Sequence, residues 1–405
     1  MRLLYSLSLL ALAWAAPALG LRLGRNSVAP DSTAVAPDGQ IPAALKIDWS
    51  VPLPGRGLAS PIIVGDKLFL TCASGPKQER LHLFCLDAAN GRKIWERQLQ
   101  ATGRTMSHPK TSIASSTPCS DGRHVFALWS CNDLAAFDLE GNLLWVRGLT
   151  TDYPNASNSL GMASSPIVIG ETVVVTIEND SESYSLGVDA KTGCNLWKLD
   201  RPKAANWSSP VPWRAGAHAT PVAVLQSSKG LLAVDPASGS RLWEYTEGAS
   251  TTSSSVVASG IIYAASNGVT ALSPDASNAA PKQLWRSKQI NPATISPLVL
   301  GGSIFSCNNA GVILAGDIKT GSIQWKLRLT GPFSGSPVGA GSRLLAVNEK
   351  GLVQVVETSA SEGKLIGQVQ LPLNTETKEN ILCTPAISGN HVYVRTDSTL
   401  WRLGE

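Results

Sequence analysis

The chain has 405 residues, of which 43% are hydrophobic and only 16% are charged. Its formal net charge of +4 is small and dispersed, and no run of Lys and Arg occurs, which argues against nucleic acid as a partner. A chain of this length and apolar content can bury a large core, and its length alone would allow two or three domains.

Residues 1–20 form an apolar N-terminal segment. One Arg precedes the apolar stretch, and small residues surround its end at Ala18, Leu19 and Gly20, which is the layout of a secretory signal peptide. An uncleaved membrane anchor is the alternative, because the stretch is about long enough to span a bilayer. We therefore predict an exported protein, periplasmic or extracellular, with no transmembrane segment after the signal. Residues 21–44, rich in Ala, Pro, Ser and Asp, are predicted to be a flexible linker.

A ten-residue pattern then recurs along the chain, with a Gly four residues after an Asp and a Trp four residues after that Gly. The pattern reads DAANGRKIWE at 87–96, DAKTGCNLWK at 189–198, DPASGSRLWE at 235–244 and DIKTGSIQWK at 317–326, with a shortened form, DLEGNLLWV, at 138–146. Five copies at the spacing of one small supersecondary unit indicate internal repetition.

Each repeat opens with a Ser-Pro or Thr-Pro step, and short β-branched runs joined by Gly turns follow. This order predicts four short strands in each repeat. The openings, with a degenerate copy at Ser254-Ser255, are Ser60-Pro61, Thr117-Pro118, Ser165-Pro166, Ser209-Pro210, Ser296-Pro297, Ser336-Pro337 and Thr384-Pro385.

The Trp of each repeat is predicted on the outermost strand, where a lone sheet would leave its large ring exposed. A neighbouring sheet can cover the indole, so the sheets are expected to stack around an axis as a propeller. Ile366 takes this place in the seventh repeat. The Trp residues predicted at this place are Trp49, Trp95, Trp145, Trp197, Trp243, Trp285 and Trp325.

The last repeat, ending DSTLWRLGE, has only three strands, and the segment LKIDWSVPL at 45–53 can supply the fourth. We therefore predict one all-β domain over 45–405. It is an eight-bladed β-propeller of four-stranded antiparallel blades, closed by pairing the N-terminal strand with the C-terminal blade. Seven-bladed WD-type repeats and helical repeats are disfavoured, because the chain has no Trp-Asp dipeptide and little 3.6-residue periodicity.

The Asp-x-x-Thr-Gly-x-x-x-Trp pattern with its Ser-Pro opening resembles the pyrroloquinoline-quinone-like β-propeller repeat over about 45–405. The resemblance implies that the seven Trp residues dock neighbouring blades. The repeat sequences are most similar to those of exported BamB-like propellers. This similarity implies a monomeric, non-catalytic scaffold that binds other envelope proteins or peptides. We expect no catalytic residue, no cofactor and no metal.

The quinoprotein dehydrogenases of this family imply the alternative, a quinone-dependent dehydrogenase of alcohols or sugars. Those enzymes hold the quinone with a stacking Trp, two adjacent disulfide-bonded cysteines and a calcium ion bound by carboxylate and amide oxygens. No two cysteines are adjacent here.

Among the seven cysteines, Cys72 and Cys85 form the candidate disulfide. If the turn of their hairpin is centred near Gln78, the two residues face each other across the strands. Two buried free thiols are the alternative. His82, which alternates with Leu81 and Leu83, is predicted to point away from the core.

Three loops carry candidate binding residues. They are GRTMSHPKTS at 103–112, TDYPNASNSLGM at 151–162 and RPKAANWSSPVPW at 201–213, with ordinary polar loops or core packing as the alternatives. In IENDSESYS at 177–185, the oxygens of Glu178, Asn179, Asp180 and Glu182 could bind calcium, but a solvated turn is expected. The candidate binding residues of the three loops are Arg104, His108, Lys110, Asn155, Asn158, Trp207 and Trp213.

Overall fold

Strands joined by tight turns make up almost all of the regular structure. The computed structural model describes residues 21–22, 39–156, 160–215, 219–275, 279–374, 376 and 379–405. The predicted signal at 1–20 and most of the predicted linker lie outside the described residues. In the described part, the chain forms eight antiparallel blades around an axis, which confirms the predicted propeller.

Each blade contains four strands, named here from the inner strand at the axis to the outer strand at the rim. Leu21–Arg22 pairs with the inner strand of blade 1, and a short helix, Leu149–Asp152, follows blade 2. The strands of blades 1 to 4 are Ile62–Val64, Lys67–Ser74, Arg80–Asp87 and Lys93–Gln100; Cys119–Ser120, His124–Leu128, Asp133–Asp138 and Leu143–Gly148; Ile167–Ile169, Thr172–Ile177, Tyr184–Asp189 and Asn195–Asp200; and Val211–Trp213, Val222–Ser227, Gly230–Val234 and Arg241–Tyr245.

Blade 8 takes its outer strand from the N-terminal side of the chain. The strands of blades 5 to 8 are Val256–Ala258, Ile261–Ala264, Val269–Ser273 and Lys282–Ser287; Leu298–Leu300, Ser303–Cys307, Val312–Asp317 and Ile323–Arg328; Val338–Ala340, Arg343–Val347, Leu352–Thr358 and Gly363–Gln370; and Ala386–Ser388, His391–Arg395, Thr399–Gly404 and Lys46–Pro52.

The two ends of the chain close the ring, as predicted. Lys46–Pro52 runs antiparallel to Thr399–Gly404, with Ser50 opposite Trp401. A second contact crosses from blade 8 to blade 1, because the buried Arg395 guanidinium donates to the carbonyl of Thr71 at 2.7 Å. The closed ring leaves no blade without a neighbour on both faces.

The Gly of the repeated pattern meets two requirements at once. Asp189 accepts hydrogen bonds from the backbone N–H groups of Lys191 and Thr192, which fixes the turn, and Gly193 then adopts φ +74°, which glycine tolerates best. A Cβ on Gly193 would also lie 2.7 Å from the Trp145 ring of the preceding blade. The spacing of Asp, Gly and Trp therefore couples a turn in one blade to the ring of its neighbour.

The predicted docking residues lie between blades. Six of their indole N–H groups donate to a backbone carbonyl of the next blade, at 2.7–3.0 Å. The donor and acceptor pairs are Trp49 with Ala89, Trp95 with Leu139, Trp145 with Ala190, Trp197 with Pro236, Trp285 with Ile318 and Trp325 with Ser359. Trp243 is also buried, but its N–H has no acceptor among the described residues.

The apolar core is divided among the interfaces between neighbouring blades. Between blades 2 and 3 it contains Phe126, Trp145, Val175 and Leu186, each at most 9% exposed. Because both faces of a blade are covered, the second strand of blade 3, Thr172–Ile177, is buried at every position. Alternation of polar and apolar residues therefore does not mark a solvent face in this fold.

His82 shows this effect, and its predicted outward orientation is wrong. The ring is buried, with Nε2 2.7 Å from Ser74 Oγ and Nδ1 2.8 Å from Glu96 Oε1. It stacks on Phe84 with 5.8 Å between ring centroids. The second face of blade 1 is an interface rather than a surface, so the polar ring is buried with polar partners.

The predicted pairing of Cys72 with Cys85 is also wrong. The hairpin turns around Lys77, so Cys72 lies opposite His82 and Cys85 lies opposite Phe69. The observed register differs by three residues from the predicted one, because Cys72 pairs with His82 and not with Cys85. The two thiols therefore lie on opposite faces of the blade, in separate core clusters. Both are free, as the alternative expected, and burial raises the pKa of Cys85 to about 12.

Candidate functional site

A ring of hydroxyl groups surrounds the axis at the end where the inner strands begin. In blades 1 to 7, the opening residue donates its backbone N–H to the side-chain oxygen of the opening residue in the next blade, at 2.9–3.2 Å. In order, these residues are Ser60, Thr117, Ser165, Ser209, Ser254, Ser296, Ser336 and Thr384. The degenerate opening at Ser254 takes part like the others.

A different contact closes this ring. Ser60 Oγ donates to the carbonyl of Thr384 at 2.7 Å, which joins blade 1 to blade 8. In the other seven openings, the hydroxyl oxygen accepts a hydrogen bond. Within the described ranges, those seven O–H groups have no protein acceptor. The ring therefore links the blades and leaves hydroxyl donors available at the axis.

A cavity of about 570 Å³ opens above this ring. Six of the opening residues line it, together with His108, Lys110, Leu160 and Trp207 from three connecting loops. We call this cavity, with its surrounding loops, the axial mouth.

Hydrogen bonds join the three predicted loops at the axial mouth. The backbone N–H of His108 donates to the carbonyl of Leu160 at 2.9 Å. The Trp207 indole donates to the carbonyl of Gly161 at 2.7 Å, and its ring is half-buried at the cavity. Segments that lie far apart in sequence thereby form one continuous surface.

Lys110 supplies the most exposed positive charge at the axial mouth. Its side chain is 67% exposed, and Nζ lies 3.5 Å from Oε1 of Glu349, whose side chain is 13% exposed. Ser334 Oγ also donates to this carboxylate, at 2.6 Å. Lys110 Nζ carries three N–H donors and contacts one acceptor among the described residues, Glu349, so most of its donors are free.

Three of the other candidate residues lie away from the axial mouth. Arg104 lines a separate cavity of about 300 Å³ beside Asn132. Asn155 is exposed, and its backbone carbonyl accepts a hydrogen bond from Ser181 Oγ. Trp213 packs edge-on against Trp243 with 6.2 Å between centroids, so the core-packing alternative applies to it. The remaining candidate, at position 158, lies outside the described residues.

The solvated turn predicted at 177–185 is wrong for Glu178 and Asn179. Glu178 and Asn179 are buried, and Glu178 Oε1 lies 2.7 Å from Nε of Arg201, which is only 5% exposed. Asn206 donates to the second carboxylate oxygen at 2.9 Å. Burial raises the pKa of Glu178, and Arg201 limits the rise. The Glu178 carboxylate therefore forms a buried ion pair between the turn after Thr172–Ile177 and the connection after Asn195–Asp200. It forms no calcium site.

The residues at the axial mouth do not suit a calcium-bound quinone. The lining side chains are hydroxyl, amide, thiol, imidazole, ammonium, indole and aliphatic groups, and no carboxylate is among them. Calcium prefers carboxylate and carbonyl oxygens, and a nearby ammonium group repels it. Within the described residues, no three His, Cys, Asp or Glu side chains are grouped closely enough to hold a metal ion.

Removing one hydroxyl from the ring tests its structural contribution. We expect Thr117→Val, which keeps the shape of the side chain, to lower the free energy of unfolding by about 1–2 kcal/mol, because the buried N–H of Ser60 loses its acceptor. Thr117→Ser keeps the oxygen and should stay close to the unaltered protein in chemical denaturation. A loss in Thr117→Ser without a loss in Thr117→Val would show that methyl packing, and not the hydrogen bond, matters at this position.

A family model described as "Outer membrane protein assembly factor BamB" matches residues 46–158, 151–327 and 309–404. These three matches cover nearly all of the propeller. No curated protein matches the sequence significantly. In the described part of the chain, no helix has the length and apolar character needed to cross a membrane.

Solved structures with the same fold include a BamB and several dehydrogenases. BamB from Moraxella catarrhalis is 16% identical, with a TM-score of 0.65 over 89% of this chain and 98% of that one. A europium-containing methanol dehydrogenase is 11% identical, with a TM-score of 0.66 over 92% and 96%. The quinohemoprotein alcohol dehydrogenase of Comamonas testosteroni is 13% identical, with a TM-score of 0.65 over 93% and 81%. At these identities the likeness concerns the fold alone.

Proposed function

This chain belongs to the family of the outer membrane protein assembly factor BamB, and we propose that it is a non-catalytic scaffold that binds a protein partner at its axial mouth. We place it outside the cytoplasm, in the cell envelope, as a monomer. The family and the apolar segment at 1–20 support export.

The single observation that carries the proposal is the convergence of three long loops on one concave surface. His108, Lys110 and Trp207 come from two of these loops and Leu160 from the third, all above a rigid ring. A half-exposed indole, an exposed cation and an aliphatic side chain are typical components of a protein-binding surface. The hydrogen bonds of the ring keep this surface in one shape, which reduces the entropy lost on binding.

The chemistry of the axial mouth favours binding over catalysis. His108 Nδ1 accepts a backbone hydrogen bond from Lys110 at 3.1 Å, so this nitrogen is engaged locally. Among the described residues that line the cavity there is no carboxylate that could pair with His108 as in a catalytic triad. The alternative is a quinone-dependent dehydrogenase, and it is supported by the fold that this chain shares with the dehydrogenase structures.

Site-specific photo-crosslinking tests the scaffold. A photoreactive amino acid is placed at Thr111, which lines the axial mouth, and separately at Leu284, which is exposed on the outer strand of blade 5. In envelope extracts of the source cells, we expect a discrete protein adduct from Thr111 and none from Leu284. Absence of an adduct at Thr111, or the same adducts at both positions, would contradict binding at the mouth.

Dye reduction tests the enzymatic alternative. The protein is incubated with pyrroloquinoline quinone, calcium, an acceptor dye and a panel of alcohols and sugars. We expect no dye reduction above that of a control lacking protein. Substrate-dependent turnover would overturn the non-catalytic assignment.

A further inference from the structure

Hydrogen-bond donors dominate the floor of the axial mouth. Five hydroxyl oxygens that line the cavity accept a backbone N–H from the preceding blade, and in the described residues none of their O–H groups has a protein acceptor. These oxygens belong to Thr117, Ser165, Ser209, Ser254 and Thr384. A ligand that fills this floor gains most if it brings acceptor atoms.

The charge at the axial mouth also favours a ligand that brings acceptor atoms, and it favours a negative one. The two ionisable basic groups along the cavity are His108 and Lys110, and the Lys110 side chain is 67% exposed. Glu349 lies 3.5 Å from Lys110 but does not line the cavity. An ammonium group placed above several hydroxyl donors matches a carboxylate, which is a strong acceptor with a negative charge.

Part of the wall of the axial mouth is apolar. Leu58, Leu160 and Leu382 line the cavity beside the indole of Trp207. This wall can pack against aliphatic side chains or the backbone of a peptide, whereas a small hydrophilic anion would leave it exposed to water. The cavity thus offers both hydrogen-bond donors and apolar surface.

We propose that the axial mouth captures an acidic segment of a partner protein, with a carboxylate on the hydroxyl ring and Lys110, and neighbouring apolar residues on Trp207. This inference rests on the proposed scaffold function and names the chemistry of its partner. Charge complementarity selects the segment, and the apolar wall distinguishes it from a free small anion.

Fluorescence anisotropy with two labelled peptides tests this specificity. One peptide alternates Leu and Glu over twelve residues, and the other carries Gln at every Glu position. We expect the acidic peptide to bind at least about tenfold more tightly than the Gln peptide. Its affinity should fall as salt is raised, because Lys110 is exposed and its charge is screened. Equal affinities, or binding insensitive to salt, would overturn the proposal.

A pair of charge reversals locates the binding site. Lys110→Glu is expected to weaken the acidic peptide by about tenfold or more, whereas Lys326→Glu, on the exposed outer strand of blade 6, should change its affinity less than about twofold. Trp207→Ala should weaken both peptides, because it removes the apolar wall. If both lysine variants lose binding equally, the effect comes from net charge and the proposal is wrong.

Two further measurements separate this inference from the function on which it rests. Citrate, a small polycarboxylate, is expected to compete only weakly with the acidic peptide, and tight binding of citrate without peptide binding would overturn the partner assignment. The Thr111 adduct should disappear in Lys110→Glu. If the adduct persists, the acidic segment is wrong while the scaffold stands; if the unaltered protein binds the acidic peptide but gives no envelope adduct, the scaffold is wrong.

Discussion

Replacing Arg201 with Ala is expected to lower the free energy of unfolding by about 3–5 kcal/mol, because it leaves the Glu178 carboxylate buried without its counterion. Asn206 would remain as a donor to one carboxylate oxygen, which does not replace a positive charge. Chemical denaturation measures the loss, and the thermal midpoint supports it if unfolding is not two-state.

The loss in Arg201→Ala should depend on pH in a definite direction. The pKa of Glu178 is already raised by burial, and removing Arg201 takes away the largest influence that lowers it. A carboxyl group whose pKa is raised by folding holds its proton more tightly in the folded state, so stability falls as pH rises through the unfolded and then the folded pKa. We therefore expect a smaller loss near pH 5 than near pH 8.

An exposed ion pair provides the matched control for this experiment. Arg241 and Glu244 lie 2.8 Å apart with side chains 58% and 45% exposed. Arg241→Ala should lower the free energy of unfolding by less than about 1 kcal/mol, because solvent screens such pairs. If Arg201→Ala costs no more than this control, Glu178 is stabilised by its other contacts.

The sequence was sufficient for the fold because its signals repeat and each reports local backbone geometry. The contact between the Gly193 turn and the Trp145 ring recurs between the equivalent residues of other neighbouring blades. A misassignment in one repeat is therefore corrected by comparison with the others. The count of eight and the closure by Lys46–Pro52 follow from this redundancy. One register was nevertheless misassigned, because a small error in the turn centre moves Cys85 to the other face of its blade.

The candidate site could be predicted only in part, because its contacts join distant segments. The opening Ser and Thr residues were evident as repeat markers, but their hydrogen-bond partners lie 40 to 57 residues away in the next blade. Trp207 and His108 were singled out, yet nothing local shows that Gly161 and Leu160 connect them. Glu178 looked like part of a solvated turn, since its partner Arg201 lies 23 residues along the chain.

Trp145→Ala, taken as an example of the docking residues, should lower the free energy of unfolding by about 3–5 kcal/mol. The indole is 9% exposed, donates to the Ala190 carbonyl at 2.9 Å and packs on the Gly193 turn of the next blade. Trp207→Ala, at the half-buried mouth, should cost less than half as much in the same denaturation experiment. Equal losses would mean that the indole at 145 does not dock blades more strongly than an ordinary surface ring.

A double-mutant cycle isolates the contact between the Trp145 ring and the turn beneath it. Gly193→Ala should be destabilising for two reasons, the positive φ of +74° and a Cβ 2.7 Å from the indole. In a Trp145→Ala background only the backbone strain remains, so the second substitution should cost about 1 kcal/mol less than it does in the unaltered protein. Additive losses would show that Gly193 is required by the turn alone. A coupling of this size would mean that the repeat pattern keeps Gly and Trp together because one residue makes room for the other across the blade interface.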